Sequence, residues 1–267
     1  MTAILNQHEN YLQADQAYGF PLLIKNLLSR AKVVSGDKKI HYADKTSYTY
    51  HEFFKRVNRL ANVLKGLNLQ KGDVVAVMDW DTHRYLECYF AIPMCGYILQ
   101  TVNVRLSEDK VLYTINHAKP KALLLNSEFS PMIKSHTQDA PSVEHVIWLD
   151  DNNTPMAPYA QGEYETMLAQ ASDEYEFEDF DENTIATTFY TSGTTGNPKG
   201  VFFSHRQIVM HTLVVAIGCA LNVEGQGLRY SDVYMPMTPM FHVHAWGFPF
   251  VATMLGLEQI YPGRYVP

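Results

Sequence analysis

One ten-residue stretch combines hydroxyl, glycine and lysine residues in a pattern that suits an anion. It runs from Thr191 to Gly200 and reads Thr-Ser-Gly-Thr-Thr-Gly-Asn-Pro-Lys-Gly. The glycines Gly193, Gly196 and Gly200 allow positive φ and close backbone approach, so several N–H groups can converge on one anion. The hydroxyls add neutral donors, and Lys199 adds a positive charge where phosphate oxygens would lie. The stretch therefore predicts a phosphate-binding loop.

This loop differs from two widespread nucleotide-binding loops. A Walker A loop places its lysine directly before Ser or Thr and leads into a helix, whereas Lys199 is followed by the strand-like run Val201–Phe203. The next helix is predicted only from Ser204, which begins a capping box with Gln207. A dinucleotide fingerprint is excluded as well, because Gly225-Gln226-Gly227 lacks the third glycine and the strand–helix context.

A second motif follows about forty residues downstream. Residues 236–247 read Pro-Met-Thr-Pro-Met-Phe-His-Val-His-Ala-Trp-Gly. Together with the loop Thr191–Gly200, this stretch resembles the adenylate-forming superfamily, which includes acyl-CoA synthetases, firefly luciferase and peptide-synthetase adenylation domains. The Met-Phe-His-Val-x-Ala-Trp form is similar to fatty acyl-CoA ligases. Residues 82–93 and 103–107 also look like that branch, so the resemblance runs from about Tyr48 to Pro267.

The resemblance implies a two-step reaction. A carboxylate attacks the α-phosphate of ATP to give acyl-AMP and pyrophosphate, and the thiol of CoA then displaces AMP. The implied cofactors are ATP, Mg²⁺ and CoA, and the implied substrate is a fatty acid or a similar carboxylic acid. An acid of another kind, small, sulfur-containing or aryl, is an alternative substrate. A non-catalytic nucleotide-binding module is an alternative of a different class.

The resemblance also assigns roles to individual residues. Lys199 and His242 are the catalytic candidates, and Thr191 matches a position that helps to hold Mg²⁺. His242 would orient the substrate carboxylate. Trp246 matches an aromatic that gates the fatty-acid tunnel in long-chain members, with ordinary core packing as the alternative. The residues expected to bind ATP or the acyl-adenylate are Thr191, Ser192, Gly193, Thr194, Thr195, Gly196, Lys199, His242, Val243 and Trp246.

The elements that position these motifs alternate between strand and helix. Short strands are predicted at Lys39–Ala43 and Ser47–Tyr50, and Thr49 and Glu52 form a capping box that begins a helix. Val74–Met78 is a continuous apolar run, which suits a strand buried on both faces. The further predicted helices are His83–Cys95, one that begins at Ser107 and is closed by Pro120, and Glu163–Ala171. The further predicted strands are Ile98–Val102, Lys121–Leu125 and His145–Leu149.

The alternation predicts an α/β fold with mainly parallel sheets flanked by helices. Within the resemblance, this is the N-terminal domain of an adenylate-forming enzyme, incomplete at its C-terminus. We predict an N-terminal α/β subdomain over residues 1–183, which ends in an acidic connection. The start of a second subdomain, over residues 184–267, carries the phosphate loop and the histidine motif.

Composition and charge narrow the function classes. The chain has 267 residues and a net charge of −7, from 21 Lys and Arg and 28 Asp and Glu. Thirteen of the acids and none of the bases lie between Lys134 and Lys199, so we interpret residues 150–183 as a solvated surface connection. No basic cluster predicts a nucleic-acid partner. Three cysteines without a CxxC pair are typical of a reduced cytoplasmic protein, and no apolar run reaches the ~18 residues of a transmembrane segment.

Several features of the superfamily lie outside these 267 residues. The aromatic-Gly-x-Thr-Glu stretch, the ribose-binding Asp, the hinge and the catalytic Lys of a small C-terminal domain are not found in the sequence. We therefore expect the chain to be the N-terminal part of a ligase that is active when full length and inactive as this fragment. We also expect a homodimer, because similar ligases dimerise through this domain. The acyl chain length is left open.

Overall fold

A computed structural model describes residues 19–191, 196–221 and 227–264. The α-helices within these ranges are α1 (Ser29–Val34), α2 (Tyr50–Gly66), α3 (His83–Met94), α4 (Glu108–Ala118), α5 (His136–Asp139), α6 (Tyr164–Gln170), α7 (His205–Ala220) and α8 (Phe248–Leu255). The strands are β1 (Lys39–Tyr42), β2 (Thr46–Thr49), β3 (Val74–Met78), β4 (Ile98–Thr101), β5 (Ala122–Asn126), β6 (His145–Leu149), β7 (Gly162–Glu163), β8 (Ile185–Thr191), β9 (Lys199–Ser204), β10 (Val233–Tyr234) and β11 (Glu258–Tyr261).

A seven-stranded sheet forms the centre of the structure, in the order β7-β6-β5-β3-β4-β8-β9. All neighbouring pairs are parallel except β8 and β9, which form an antiparallel hairpin at one edge. A smaller sheet has the order β10-β11-β1-β2, with β1 antiparallel to β2 and the other pairs parallel. These sheets and their flanking helices confirm the predicted α/β fold with mainly parallel strands.

The central strands form where the sequence is continuously apolar. All five residues of β5 are buried, as are four of the five in β3, because helices cover both faces of a parallel sheet. Hydroxyl side chains at the N-caps fix where the covering helices begin. Thr49 accepts a hydrogen bond from the backbone N–H of Glu52, and Thr82 accepts one from Tyr85. The predicted element bounds therefore hold to within one or two residues.

Strands from both sides of the predicted subdomain boundary belong to the same sheet. Leu99 of β4 lies opposite Thr187 of β8 in a parallel register. The carboxyl ends of β3, β4 and β8 consequently meet at one edge of the sheet, where binding sites of such sheets form. The division at residues 183 and 184 stays a prediction.

Residues 150–183, the acidic segment, are more than the solvated connection that we expected. Six of its eleven acids form ion pairs with basic side chains of elements elsewhere in the chain. Glu165 lies 2.8 Å from Arg56 of α2, and Asp151 lies 3.0 Å from Arg84 of α3. Because Arg56 and Arg84 are largely buried, the acids neutralise charges inside the fold. The segment is bound to the domain along its length.

None of the helices in the described ranges has the length and apolar character needed to cross a membrane.

Candidate functional site

The β8–β9 hairpin carries the predicted phosphate loop at its tip. Thr191 ends β8 and lies directly opposite Lys199, which begins β9. Tyr190 lies opposite Gly200 in the same ladder, and its hydroxyl is 2.8 Å from Nδ1 of His117 on α4. The hairpin is therefore fixed at its base, and it holds a half-buried hydroxyl and an exposed ammonium group across from each other.

Four of the predicted loop residues, Ser192, Gly193, Thr194 and Thr195, lie outside the described residues. Gly196 has φ of +106°, as expected for a glycine in a tight loop. Gly200 is different, because it lies in β9 and does not have a positive φ. The expectation that Gly200 uses a positive φ was therefore wrong. A Cβ at this position would lie 3.4 Å from the Tyr190 ring, which is ordinary van der Waals contact, so the described neighbours do not require a glycine there.

Nine of the 17 Lys and Arg residues that precede Lys199 form ion pairs in the described structure, and Lys199 forms none. Within the described parts of the chain, no carboxylate lies within ion-pair distance of its ammonium group. Its side chain is exposed beside the loop tip. An exposed cation without an acidic partner, at the start of β9 and opposite the carboxyl end of the parallel strand β8, is suited to a phosphate group.

Residues 236–247, the histidine loop, alternate between buried and exposed side chains. Met240 and Phe241 are buried, His242 is exposed, and His244 and Ala245 are buried again. Val243 is half-buried and Trp246 is 61% exposed, so the tryptophan does not pack in the core of the described structure. The loop therefore presents His242 and Trp246 outward from a fixed base.

The end of the histidine loop is a left-handed turn. Val243, His244, Ala245 and Trp246 have φ values of 47°, 52°, 48° and 57°. This conformation is unfavourable for each L-residue, by roughly 1–2 kcal/mol. Gly247 completes the turn at φ of 74°, and a Cβ there would lie 2.7 Å from the ring of His211 on α7. Packing around the turn must offset this strain, which is typical of functional sites.

His244 joins the histidine loop to the β8–β9 hairpin. Its ring packs edge-on against Phe189 of β8 at 5.0 Å and Tyr89 of α3 at 5.8 Å, and near Phe203 of β9 at 6.2 Å. Burial lowers the pKa of His244 to about 3, so the ring is neutral at physiological pH. The structure therefore brings the two sequence motifs together through an aromatic contact.

One residue at the base of this loop was not identified from the sequence. Oδ1 of Asp81 accepts a hydrogen bond of 2.7 Å from the backbone N–H of Met240. Asp81 follows β3 by three residues and is 6% exposed. The available signal was an acidic residue just after a buried strand, at the edge where the carboxyl ends of the sheet meet.

The residues at the hairpin fit a phosphate group with its magnesium ion. The described residues hold no cluster of three His, Cys, Asp or Glu that could bind a metal alone. Mg²⁺ in phosphate sites usually takes one or two protein ligands, with phosphate oxygens and waters as the rest. The Thr191 hydroxyl can supply one such ligand, and Lys199 lies directly opposite it in the hairpin.

Comparison with known proteins gives relatives over most of the chain. A long-chain-fatty-acid–CoA ligase of Thermus thermophilus is 36% identical over 237 residues, which cover 89% of this chain and 41% of the relative. A medium-chain-fatty-acid–CoA ligase of Ectopseudomonas oleovorans is 34% identical, with 91% of this chain and 44% of the relative covered. The chain thus spans about two fifths of the length of these curated relatives.

The fold is also that of solved structures. A crystal structure of an anthranilate CoA ligase in complex with anthranoyl-AMP superposes with a TM-score of 0.79 at 22% identity. The match covers 92% of this chain and 46% of that protein, so the fold corresponds to its N-terminal part. A family model described as AMP-binding enzyme matches residues 28–267. The chain belongs to the AMP-binding enzyme family.

Proposed function

We propose that this chain is the nucleotide- and acyl-binding part of an acid–thiol ligase that converts a fatty acid to its CoA thioester through acyl-AMP. The observation that carries the proposal is the pairing of two motifs. A hairpin with an unpaired Lys199 packs through His244 against the loop that presents His242 and Trp246. The curated relatives are named as ligases of long- and medium-chain fatty acids, which favours this substrate class.

In the proposed reaction, Lys199 and the N–H groups and hydroxyls of the hairpin loop hold the phosphates of ATP. Thr191, Ser192, Gly193, Thr194, Thr195 and Gly196 are the loop residues in this role. A bound Mg²⁺ would neutralise phosphate charge beside Thr191. The contribution of these groups is positioning and charge stabilisation, because the leaving pyrophosphate gains negative charge during the attack.

The histidine loop would act on the acid. His242 is exposed at the end of a hydrogen-bonded turn, where its backbone N–H donates to Pro239 at 2.9 Å. Its imidazole can donate to the carboxylate or the acyl-adenylate. Val243 and Trp246 would contact the acyl part. The exposed apolar side chains of Met235, Met237 and Trp246 favour an apolar acid over a small polar one.

The alternatives are an acid of another kind, small, sulfur-containing or aryl, and a non-catalytic nucleotide-binding module. An assay of the product of the complete reading frame separates them. We expect carboxylate-dependent exchange of pyrophosphate into ATP with Mg²⁺, and CoA thioester formation that is fastest with medium- or long-chain fatty acids. Faster reaction with an aryl or sulfur-containing acid would support the first alternative. Nucleotide binding without exchange for any acid would contradict the ligase proposal.

Three further sequence predictions stay predictions: a homodimer, a cytoplasmic location and the inactivity of the 267-residue chain by itself. Sizing at several concentrations tests the first. Pyrophosphate release by the 267-residue chain, with ATP, Mg²⁺, CoA and fatty acids, tests the third, and robust turnover would contradict it.

A further inference from the structure

The histidine loop is held from below by side chains that precede it by 140 to 160 residues. Asp81 accepts from the backbone N–H of Met240 at 2.7 Å, and the hydroxyl of Tyr89 donates to the carbonyl oxygen of the same residue. Thr101, the last residue of β4, donates to the carbonyl oxygen of Phe241 at 3.4 Å. The backbone directly before His242 is therefore fixed on both its donor and acceptor sides.

Asp81 itself has little freedom. It is 6% exposed, and its carbonyl oxygen accepts a hydrogen bond of 2.8 Å from the backbone N–H of Gly263. Thr82, the next residue, is the N-cap of α3. Because its carbonyl oxygen is hydrogen-bonded and the next residue caps α3, Asp81 can transmit its position to the residue that it binds.

The charged and titratable groups around Asp81 come from several elements. Asp79 follows β3, Arg105 lies in the loop after β4, and the hydroxyls of Tyr85, Tyr89 and Tyr234 come from α3 and β10. Burial and the charge of Asp79 raise the pKa of Asp81 to about 7, although the Met240 N–H and Arg105 oppose the shift. We therefore expect its carboxyl group to change charge near neutral pH.

We propose that Asp81 is a positioning residue for the adenylation step: its carboxylate holds the Met240 amide and so sets the position of His242. The expected effect on the rate rests on the proposed ligase function, whereas the contact between Asp81 and Met240 does not. An ionised carboxylate is a stronger acceptor than a neutral one, so the hold on the histidine loop strengthens as the pH rises through neutrality. Asparagine keeps an acceptor but cannot titrate, and leucine leaves the buried Met240 N–H without a partner.

The kinetic test uses carboxylate-dependent ATP–pyrophosphate exchange by the product of the complete reading frame. Asp81→Leu is expected to lower kcat by at least about 10-fold with little change in KM for ATP, because misplacement of a reacting group costs rate rather than affinity. Asp81→Asn is expected to restore most of kcat and to remove the step in the pH profile near 7. Unchanged kcat in Asp81→Leu, or a pH profile of Asp81→Asn identical to that of the wild type, would overturn the proposal.

Two neighbouring variants sharpen this test. Arg105→Gln removes an exposed cation that lowers the pKa of Asp81, so the pH step should move upward. Asp79→Asn removes a negative charge that raises it, so the step should move downward. Movement of the step in the opposite direction in either variant would assign the titration to another group and contradict the role of Asp81.

A second measurement does not depend on activity. Amide hydrogen exchange at one pH, read by mass spectrometry, should be faster for residues 238–247 in Asp81→Leu than in the wild type, with β5 and β6 unchanged as the internal control. Faster exchange throughout the domain would show general destabilisation and overturn the local role. A wild-type protein without exchange of pyrophosphate for any acid contradicts the proposed function, whereas the amide exchange still decides whether Asp81 holds the loop.

Discussion

The acidic segment and the β8–β9 hairpin are neighbours in sequence and use charge in opposite ways. The segment has eleven acids and no base, and six of the acids lie in ion pairs with side chains of the surrounding elements. The hairpin has one cation, Lys199, without a carboxylate partner in the described structure. A high density of charge therefore accompanies structural contacts in the acidic segment, whereas the hairpin holds one exposed charge without an acidic partner.

Substitution of Arg56 is the strongest test of whether the ion pairs of the acidic segment stabilise the fold. Its guanidinium lies 2.7 Å from the fully buried Glu87 and 2.8 Å from Glu165 of the acidic segment. Arg56→Leu leaves Glu87 buried without its cation, so we expect a loss of about 3–5 kcal/mol in the free energy of unfolding. Urea denaturation measures it.

The matched control is the adjacent Lys55, which is 54% exposed and lies 3.4 Å from Asp173. Lys55→Leu should cost less than about 1 kcal/mol, as exposed pairs do. Equal losses in the free energy of unfolding of Arg56→Leu and Lys55→Leu would show that burial of the acidic partner does not determine the contribution of the ion pair.

The stability of the β8–β9 hairpin should depend on the positive φ of Gly196. Gly196 has φ of +106°, and no atom of the described residues lies within 4 Å of where a Cβ would be. Gly196→Ala is therefore expected to cost about 1–2 kcal/mol from backbone strain alone. Gly218→Ala in α7 is the control, because it also has open space but a helical backbone, and it should stabilise the protein by up to about 1 kcal/mol. Thermal or urea unfolding distinguishes the two, and a stabilising Gly196→Ala would refute the assigned conformation.

The smallest expected effect is the pH-dependent contribution of Glu165 to the stability of the fold. Burial raises the pKa of Glu165, but hydrogen bonds from His83 and Arg56 outweigh it and lower the pKa to about 2. A carboxyl whose pKa is lower in the folded state stabilises the fold above its unfolded pKa, and the contribution is lost as the pH falls towards 2. Because the side chain is 41% exposed, we expect Glu165→Gln to cost only about 1 kcal/mol at pH 7, and progressively less as the pH falls towards 2. A cost that does not vary with pH would contradict the ion pair.

What the sequence predicts well is local. The capping box of Ser204 and Gln207 is present with both of its hydrogen bonds, and the apolar run Val74–Met78 forms a central strand. Signals of this kind need only a few adjacent residues. The hairpin that brings Thr191 opposite Lys199 follows from two strand-forming runs around a glycine-rich loop.

What the sequence does not predict joins distant residues. Glu87 and Glu165 meet at Arg56 across 31 and 109 positions, and Asp81 meets Met240 across 159. No local pattern marks such pairs, because the sheet order brings them together. The left-handed turn at Val243–Trp246 has no glycine before Gly247, so nothing in its composition indicates the positive φ values. Tertiary packing imposes this conformation.

The central claim, our proposal that Lys199 binds phosphate, is tested most directly by Lys199→Ala in the product of the complete reading frame. We expect the free energy of unfolding to change by less than about 0.5 kcal/mol, as for a surface substitution without partners. Single-turnover formation of acyl-AMP should slow by about 100-fold or more, as expected for the loss of one preorganised charge. Unchanged adenylation, or a loss of stability like that of Arg56→Leu, would contradict the claim.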